Sequence, residues 1–219
     1  KQVGVSSVQA VGQQIRVTAN RDDVQIVMPS GLRVNAELSL RGAHQWANAA
    51  VAVGLAEIAA ARFPNILPAI AKGLSTTKWP GRLESIARGG KQVLLDCAHN
   101  PHGVEGLVAH VHACGWSPER VILVFGALAD KEWPVMLERV APLAQRRVYT
   151  APKGRAPASL LEMADRFSGE TVSEPRNAIH RALAWAREGD VVLVLGSIFL
   201  VGEVRAELLG LECDPIVAL

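Results

Sequence analysis

Val93-Leu94-Leu95-Asp96-Cys97-Ala98-His99-Asn100-Pro101-His102-Gly103 reads as an apolar strand that stops on an acid and gives way to a helix start. A short apolar run bounded by turn residues suits a strand buried on both faces. Asn100 suits the N-cap, and Pro101 suits the first helical position, where a missing N–H costs nothing. That local account leaves Asp96 and His99 without a role. A carboxylate and an imidazole at the carboxyl end of a buried strand lie where open α/β sheets bind ligands.

The pattern around this turn repeats. Short apolar runs predict strands at 92–96, 120–126, 146–150 and 191–196, with a weaker one near 170–173. Helical periodicity follows each, at 101–114, 131–143, 158–167, 175–187 and 198–209. Strand and helix in alternation argue for an α/β fold, a mostly parallel sheet covered by helices on both faces. Val191-Val192-Leu193-Val194-Leu195 has no polar face at all, as a central strand requires. The first third of the chain differs. It predicts strands at 3–11, 14–18, 24–28 and 32–40, a helix over 44–62, and a second over 65–73 with Gly73 as its C-cap. The turn-rich Ser75-Thr76-Thr77-Lys78-Trp79-Pro80-Gly81 links the halves, which places the domains at 1–76 and 77–219.

Composition narrows the function. A hydrophobic content of 49% with 20% charged residues is that of a packed globular chain. The net charge of +2, without runs of lysine and arginine, argues against nucleic acid as a partner. No stretch has the length and charge-free character of a membrane span. Cys97, Cys114 and Cys213 have no Cys-x-x-Cys spacing, so they read as buried reduced thiols in a cytoplasmic protein.

Several residue types could carry chemistry. Arg82 follows Pro80-Gly81 in a tight turn, where a guanidinium is a surface group or a ligand for phosphate. Asp96 could accept hydrogen bonds from ribose hydroxyls. His99 could be a satisfied core histidine, a general base or an anion binder. Paired with His102 it makes a poor metal site, lacking an acidic or cysteine neighbour. His102, His110 and His112 read as ordinary surface or helix residues. Ser197 after Gly196 opens a helix, where it is an N-cap, an anion ligand or both. His44 and Asn48, one turn apart, read as a buried polar pair or as a ligand contact. Asp130-Lys131-Glu132 reads first as an acidic helix start, and Arg155 is a further candidate cation.

Trp79-Pro80-Gly81-Arg82-Leu83-Glu84 followed by Leu95-Asp96-Cys97-Ala98-His99-Asn100-Pro101-His102-Gly103 resembles the C-terminal half of bacterial folylpolyglutamate synthase/dihydrofolate synthase, within the Mur-ligase-like family. Gly42-Ala43-His44-Gln45-Trp46-Ala47-Asn48, Phe125-Gly126-Ala127-Leu128-Ala129-Asp130-Lys131-Glu132 and Gly196-Ser197-Ile198-Phe199-Leu200 resemble it too, in the family's order. The resemblance implies a Rossmann-like C-terminal glutamate ligase domain preceded by the tail of a central ATPase domain. It implies an ATP-dependent ligase that adds L-glutamate to a folate or dihydropteroate carboxylate through an acyl phosphate. Arg82 would then reach the terminal phosphates of ATP, with Asp96 and Asn48 on the nucleotide. His99 would stand near the acyl phosphate and the incoming glutamate, and Ser197 on the glutamate.

Nothing in the chain matches Gly-x-x-x-x-Gly-Lys-[Ser/Thr], the loop that cradles nucleotide phosphates. By the resemblance, that loop and the Mg2+ ligands belong to an N-terminal half, which makes the chain part of a longer enzyme and inactive alone. A ligase for cell-wall precursors is the nearest alternative. A non-catalytic nucleotide- or partner-binding domain is the next. A dinucleotide oxidoreductase lacks its Gly-x-Gly-x-x-Gly.

Overall fold

The computed structural model describes residues 8–20, 23–154 and 156–212. The chain divides into two compact units, Lys1–Trp79 and Pro80–Leu219.

In the first unit, β1 (Arg16–Asn20), β2 (Asp23–Val27) and β3 (Arg33–Glu37) form an antiparallel meander. Alternation decides its faces: Val24 and Ile26 are buried between exposed Asp23 and Gln25. Helices α1 (His44–Ala59) and α2 (Ile66–Thr76) share a core with the sheet, built from Ile15, Ile26, Met28, Ala50, Val53 and Ile70. Two expectations need correction here. The strand at 3–11 lies partly outside the described residues, and residues 8–11 make only an isolated bridge from Val11 to Ile15. The Ala10 carbonyl takes the amides of Gln13, Gln14 and Ile15, a tight turn that leaves no room for a ladder. Gly73 does not cap α2, which continues to Thr76. The Thr76 and Thr77 hydroxyls donate to the carbonyls of Lys72 and Gly73, each at 2.7 Å, so the last turn is satisfied without a glycine.

The second unit is the expected α/β class. It runs β4 (Glu84–Arg88), β5 (Lys91–Leu95), α3 (Pro101–Ala113), β6 (Val121–Phe125), α4 (Trp133–Val140), β7 (Arg146–Tyr149), α5 (Leu160–Arg166), β8 (Glu170–Thr171), α6 (Pro175–Trp185), β9 (Val191–Leu195) and α7 (Ile198–Leu209). The six strands lie in the order β4-β5-β9-β6-β7-β8, parallel except for the β4–β5 hairpin. Every residue of β6 and of β9 is buried, which explains their unbroken apolar character. Odd and even positions feed opposite layers. Leu94, Leu123, Phe125 and Leu193 pack with Val104, Leu107, Met136, Leu137 and Met163 of α3, α4 and α5. Val93, Ile122, Val124 and Val192 pack with Ile179, Ala182, Leu200 and Val204 of α6 and α7.

β4 was absent from the sequence reading. It is an edge strand with only Glu84 and Ile86 partly buried, so its residues carry no apolar period to detect.

This topology places the crevice. The chain leaves β5 and β6 toward one face and β9, which lies between them, toward the other. Diverging connections open a gap beyond the strand ends, the switch point where such sheets bind ligands.

Candidate functional site

Three carboxyl strand ends meet at that switch point. The amide of Gly196 after β9 donates to the Ala98 carbonyl after β5 at 3.1 Å, and the Gly126 amide after β6 donates to Leu195 at 3.3 Å. Gly196 has φ +112, and a Cβ there would sit 2.6 Å from the Gly126 carbonyl oxygen and 2.9 Å from the Phe125 ring. Only glycine permits both the conformation and the approach. His99 and Ser197 each follow a residue of the Ala98–Gly196 pair, so the two loops carry them to the same edge of the sheet.

Asp96 is 9% exposed, and its carboxylate works inside the protein. Oδ2 accepts the Leu83 amide at 3.0 Å, and Oδ1 accepts the Ala98 amide at 2.9 Å. It thereby ties the Arg82 turn to the His99 loop. Burial pushes its pKa up, while the two amides and the Arg82 charge pull the other way. Each oxygen keeps one further lone pair for a hydroxyl. The local role left open for Asp96 is thus supplied by two backbone donors, one of them 13 residues upstream.

Arg82 is exposed at the tip of a braced turn. Gly81 on one side has φ +72 and Leu83 on the other φ +45, a conformation that costs a side-chain-bearing residue free energy unless its surroundings hold it. Leu83 is held by burial to 2% exposure and by Asp96. The Gly81 carbonyl accepts the Cys97 amide at 2.7 Å. A Cβ on Gly81 would meet Cys97 Sγ at 2.6 Å. Glu84 closes the turn by accepting the Gly81 amide at 2.7 Å, and Arg205 Nε of α7 bonds both its oxygens, at 3.0 and 2.9 Å. Glu84 and Arg205 were not among the sequence candidates. Glu84 sat in the quoted motif, but Arg205, 121 residues away, carried no signal.

His99 is partly buried, and its Nδ1 lies 2.9 Å from the Cys97 carbonyl. A carbonyl only accepts, so Nδ1 carries the proton and Nε2 keeps the lone pair of the neutral ring. Asn100 caps α3 by accepting the Gly103 amide at 2.8 Å, with Pro101 at the first position. Ser197 is 3% exposed and caps α7, accepting the Phe199 amide at 3.2 Å. Its O–H remains as a donor.

Other candidates fall elsewhere. Asn48 is exposed and donates to Gln45 Oε1 at 3.0 Å; buried Gln45 in turn contacts His44 Nε2 at 2.8 Å. The polar pair is therefore a triad with Gln45, not His44, at its buried centre. It belongs to the first unit, whereas Arg82, Asp96, His99 and Ser197 belong to the second. His102 pairs with Glu105 at 3.4 Å, and Lys131 with Asp130 at 3.6 Å. Arg155 and Cys213 lie outside the described residues. Cys114 is exposed, contrary to the buried reading, because it falls at the solvent end of α3, where the chain turns through Gly115. Cys97 is half-buried, and burial, reinforced by the Asp96 charge, pushes its thiol up to about 11, which leaves it unreactive. Among the described residues no group of three or more His, Cys, Asp or Glu side chains stands ready to hold a metal ion. None of their helices is long and apolar enough to cross a membrane.

A strand-end crevice furnished with a braced arginine, an oriented histidine and a capped helix start is the equipment of a ligand-binding α/β domain. Residues 81–198 match the family described as Mur ligase, glutamate ligase domain. The chain belongs to that ligase family. It is 37% identical over 177 residues to a probable bifunctional folylpolyglutamate synthase/dihydropteroate synthase of Halobacterium salinarum, covering 78% of this chain and 21% of that protein. It is 32% identical over 195 residues to the UDP-N-acetylmuramoyl-L-alanyl-D-glutamate–2,6-diaminopimelate ligase of Caulobacter vibrioides, covering 83% and 38%. Among solved structures, E. coli FolC in complex with DHPP and ADP superposes with a TM-score of 0.75 at 24% identity, over 89% of this chain and 46% of that one, a likeness of fold. The chain spans less than half the length of each of these three.

Proposed function

We propose that this chain is the C-terminal part of an ATP-dependent ligase that joins L-glutamate to the carboxylate of a folate or dihydropteroate through an acyl phosphate. In this reading residues 1–76 are the tail of its central ATPase domain and residues 77–219 its glutamate ligase domain. The observation that carries the proposal is the braced Arg82 turn beside His99 and Ser197, at the switch point of a sheet belonging to the ligase family.

Each residue has a task that its geometry suits. Arg82, fixed between two held residues, binds the terminal phosphates and meets charge as the phosphoryl group moves to the acceptor carboxylate. A turn already braced needs no backbone reorganisation at that moment. Asp96 offers its remaining lone pairs to the ribose. Glutamate is held at the start of α7, where Ser197 Oγ–H and the first-turn amides face a carboxylate. Its amino group must lose a proton to attack the acyl carbon, and His99 Nε2 is the acceptor in reach of that edge. The C–N bond forms, phosphate leaves with the C–O bond electrons and takes the nitrogen's second proton as hydrogen phosphate, and the first proton passes from the imidazole to solvent. A divalent ion would accompany the nucleotide as in other phosphoryl transfers. None of the tasks given to these residues passes through it.

The complete enzyme that contains this chain is the material for the test. Phosphate release dependent on ATP, glutamate and a pterin acceptor is expected, with no turnover from residues 1–219 alone. Turnover only with a UDP-N-acetylmuramoyl peptide acceptor would select the cell-wall ligase instead, the second reading that the Caulobacter relative favours. ATP-dependent ligation by the isolated chain would overturn the division of labour between halves.

A further inference from the structure

We propose that Arg205 acts through Glu84 as a positioning residue for Arg82, an inference that rests on Arg82 being the phosphate-binding group. Arg82 stands between two residues of left-handed backbone, Gly81 and Leu83. Each of their amides is held by a carboxylate, Gly81 by Glu84 and Leu83 by Asp96. The second carboxylate is itself fixed by the strand end on which it sits, with Ala98 on its other oxygen. The first has no such anchor in its own strand. Glu84 begins β4, at the sheet edge, and its side chain is held instead by Arg205, whose Nε reaches both oxygens.

The geometry makes this a relay. Glu84 Oε2 receives the Gly81 amide and the Arg205 Nε at once, so moving the guanidinium moves the acceptor on which the turn closes. Both partners are about three-quarters buried, with side-chain exposures of 23% and 27%, where a charge-assisted bond is screened little by solvent. Arg205 also belongs to α7, the helix that Ser197 caps. One rigid helix therefore sets the glutamate-facing cap at its start and the brace of the phosphate-facing arginine two turns further on. The pair of Arg120 with Asp190 differs in kind: Asp190 precedes β9, at the end of the sheet opposite to the Arg82 turn.

A cycle in the complete enzyme tests the relay, with phosphate release as the readout for Arg82→Ala, Arg205→Ala and the double variant. Arg205→Ala is expected to lower kcat on the order of 10-fold, within the range a ~1 Å misplacement costs, with the acceptor KM nearly unchanged. In the Arg82→Ala background the same substitution is expected to add nothing. A merely structural role would multiply the two losses, and that result, or an unchanged kcat for Arg205→Ala alone, overturns the inference. Arg205→Lys keeps the charge and apolar stem and replaces Arg205→Ala in the cycle if the alanine variant does not fold. If Arg82→Ala itself turns over normally, the reading of Arg82 fails, and the relay with it. A damaged Arg82→Ala beside an additive Arg205→Ala removes the relay alone.

Discussion

Replacing Asp96 by asparagine keeps the size of the side chain and removes one acceptor. The native carboxylate takes amides from both sides, Leu83 at 3.0 Å and Ala98 at 2.9 Å. A carboxamide has one oxygen, so one N–H must face an NH2 group. Losing a hydrogen bond to a charged acceptor and leaving a buried donor unpaired costs about 1.5–3 kcal/mol. Neutralising a carboxylate that is 9% exposed returns part of that. A net loss of about 2 kcal/mol is expected. The oxygen should stay with Ala98, because releasing Leu83 also relaxes its φ of +45. Urea denaturation of this chain, followed with hydrogen exchange at the Leu83 amide, measures both consequences. An Asn variant within ~0.5 kcal/mol of the parent, with the Leu83 amide still protected, would refute the view that Asp96 braces the Arg82 turn.

Four further outcomes are expected. The stability advantage of the parent over Asp96→Asn should grow as pH falls from neutral. Burial raises the folded-state pKa of Asp96, so its contribution is full below the unfolded value and lost as pH rises through the folded one; an advantage that shrinks in acid contradicts this. Gly196→Ala should cost about 3 kcal/mol, combining a φ of +112 with contacts of 2.6 and 2.9 Å to Gly126 and Phe125. Gly202→Ala, inside α7 with nothing within 4 Å of its Cβ, should instead gain about 0.5–1 kcal/mol in the same urea titration. His99→Ala in the complete enzyme should reduce glutamate-dependent phosphate release roughly 10²- to 10⁴-fold, the span of a lost general base, and a rate within a factor of about two would remove His99 from the proton transfer.

The central strands were legible because a strand buried on both faces must be apolar throughout, and 121–125 and 191–195 are. The caps were legible for a similar local reason. Asn100 before Pro101, and Ser197 after Gly196, satisfy amides two or three residues away. The misses share a cause as well. β4 is solvated, so no periodicity marks it. Gly73 looked like a helix end, but the hydroxyls of Thr76 and Thr77 supply that end instead. The His44–Asn48 pair omitted Gln45, whose burial depends on how α1 sits on its own sheet.

From residue order alone came the alternating α/β class, the family resemblance and the stretches that carry Arg82, Asp96, His99 and Ser197. These depend on spacings of two to four residues, and on motif residues adjacent in the chain. The tertiary structure decided what those residues do for one another: that Asp96 joins two loops, that His99 keeps its proton on Nδ1, and that Arg205 closes a turn 121 residues upstream through Glu84. Backbone amides and carbonyls are alike at nearly every residue, so no pattern of side chains announces which of them a carboxylate or an imidazole will find. Only the packed sheet, which brings the ends of β5, β9 and β6 together, selects the partners.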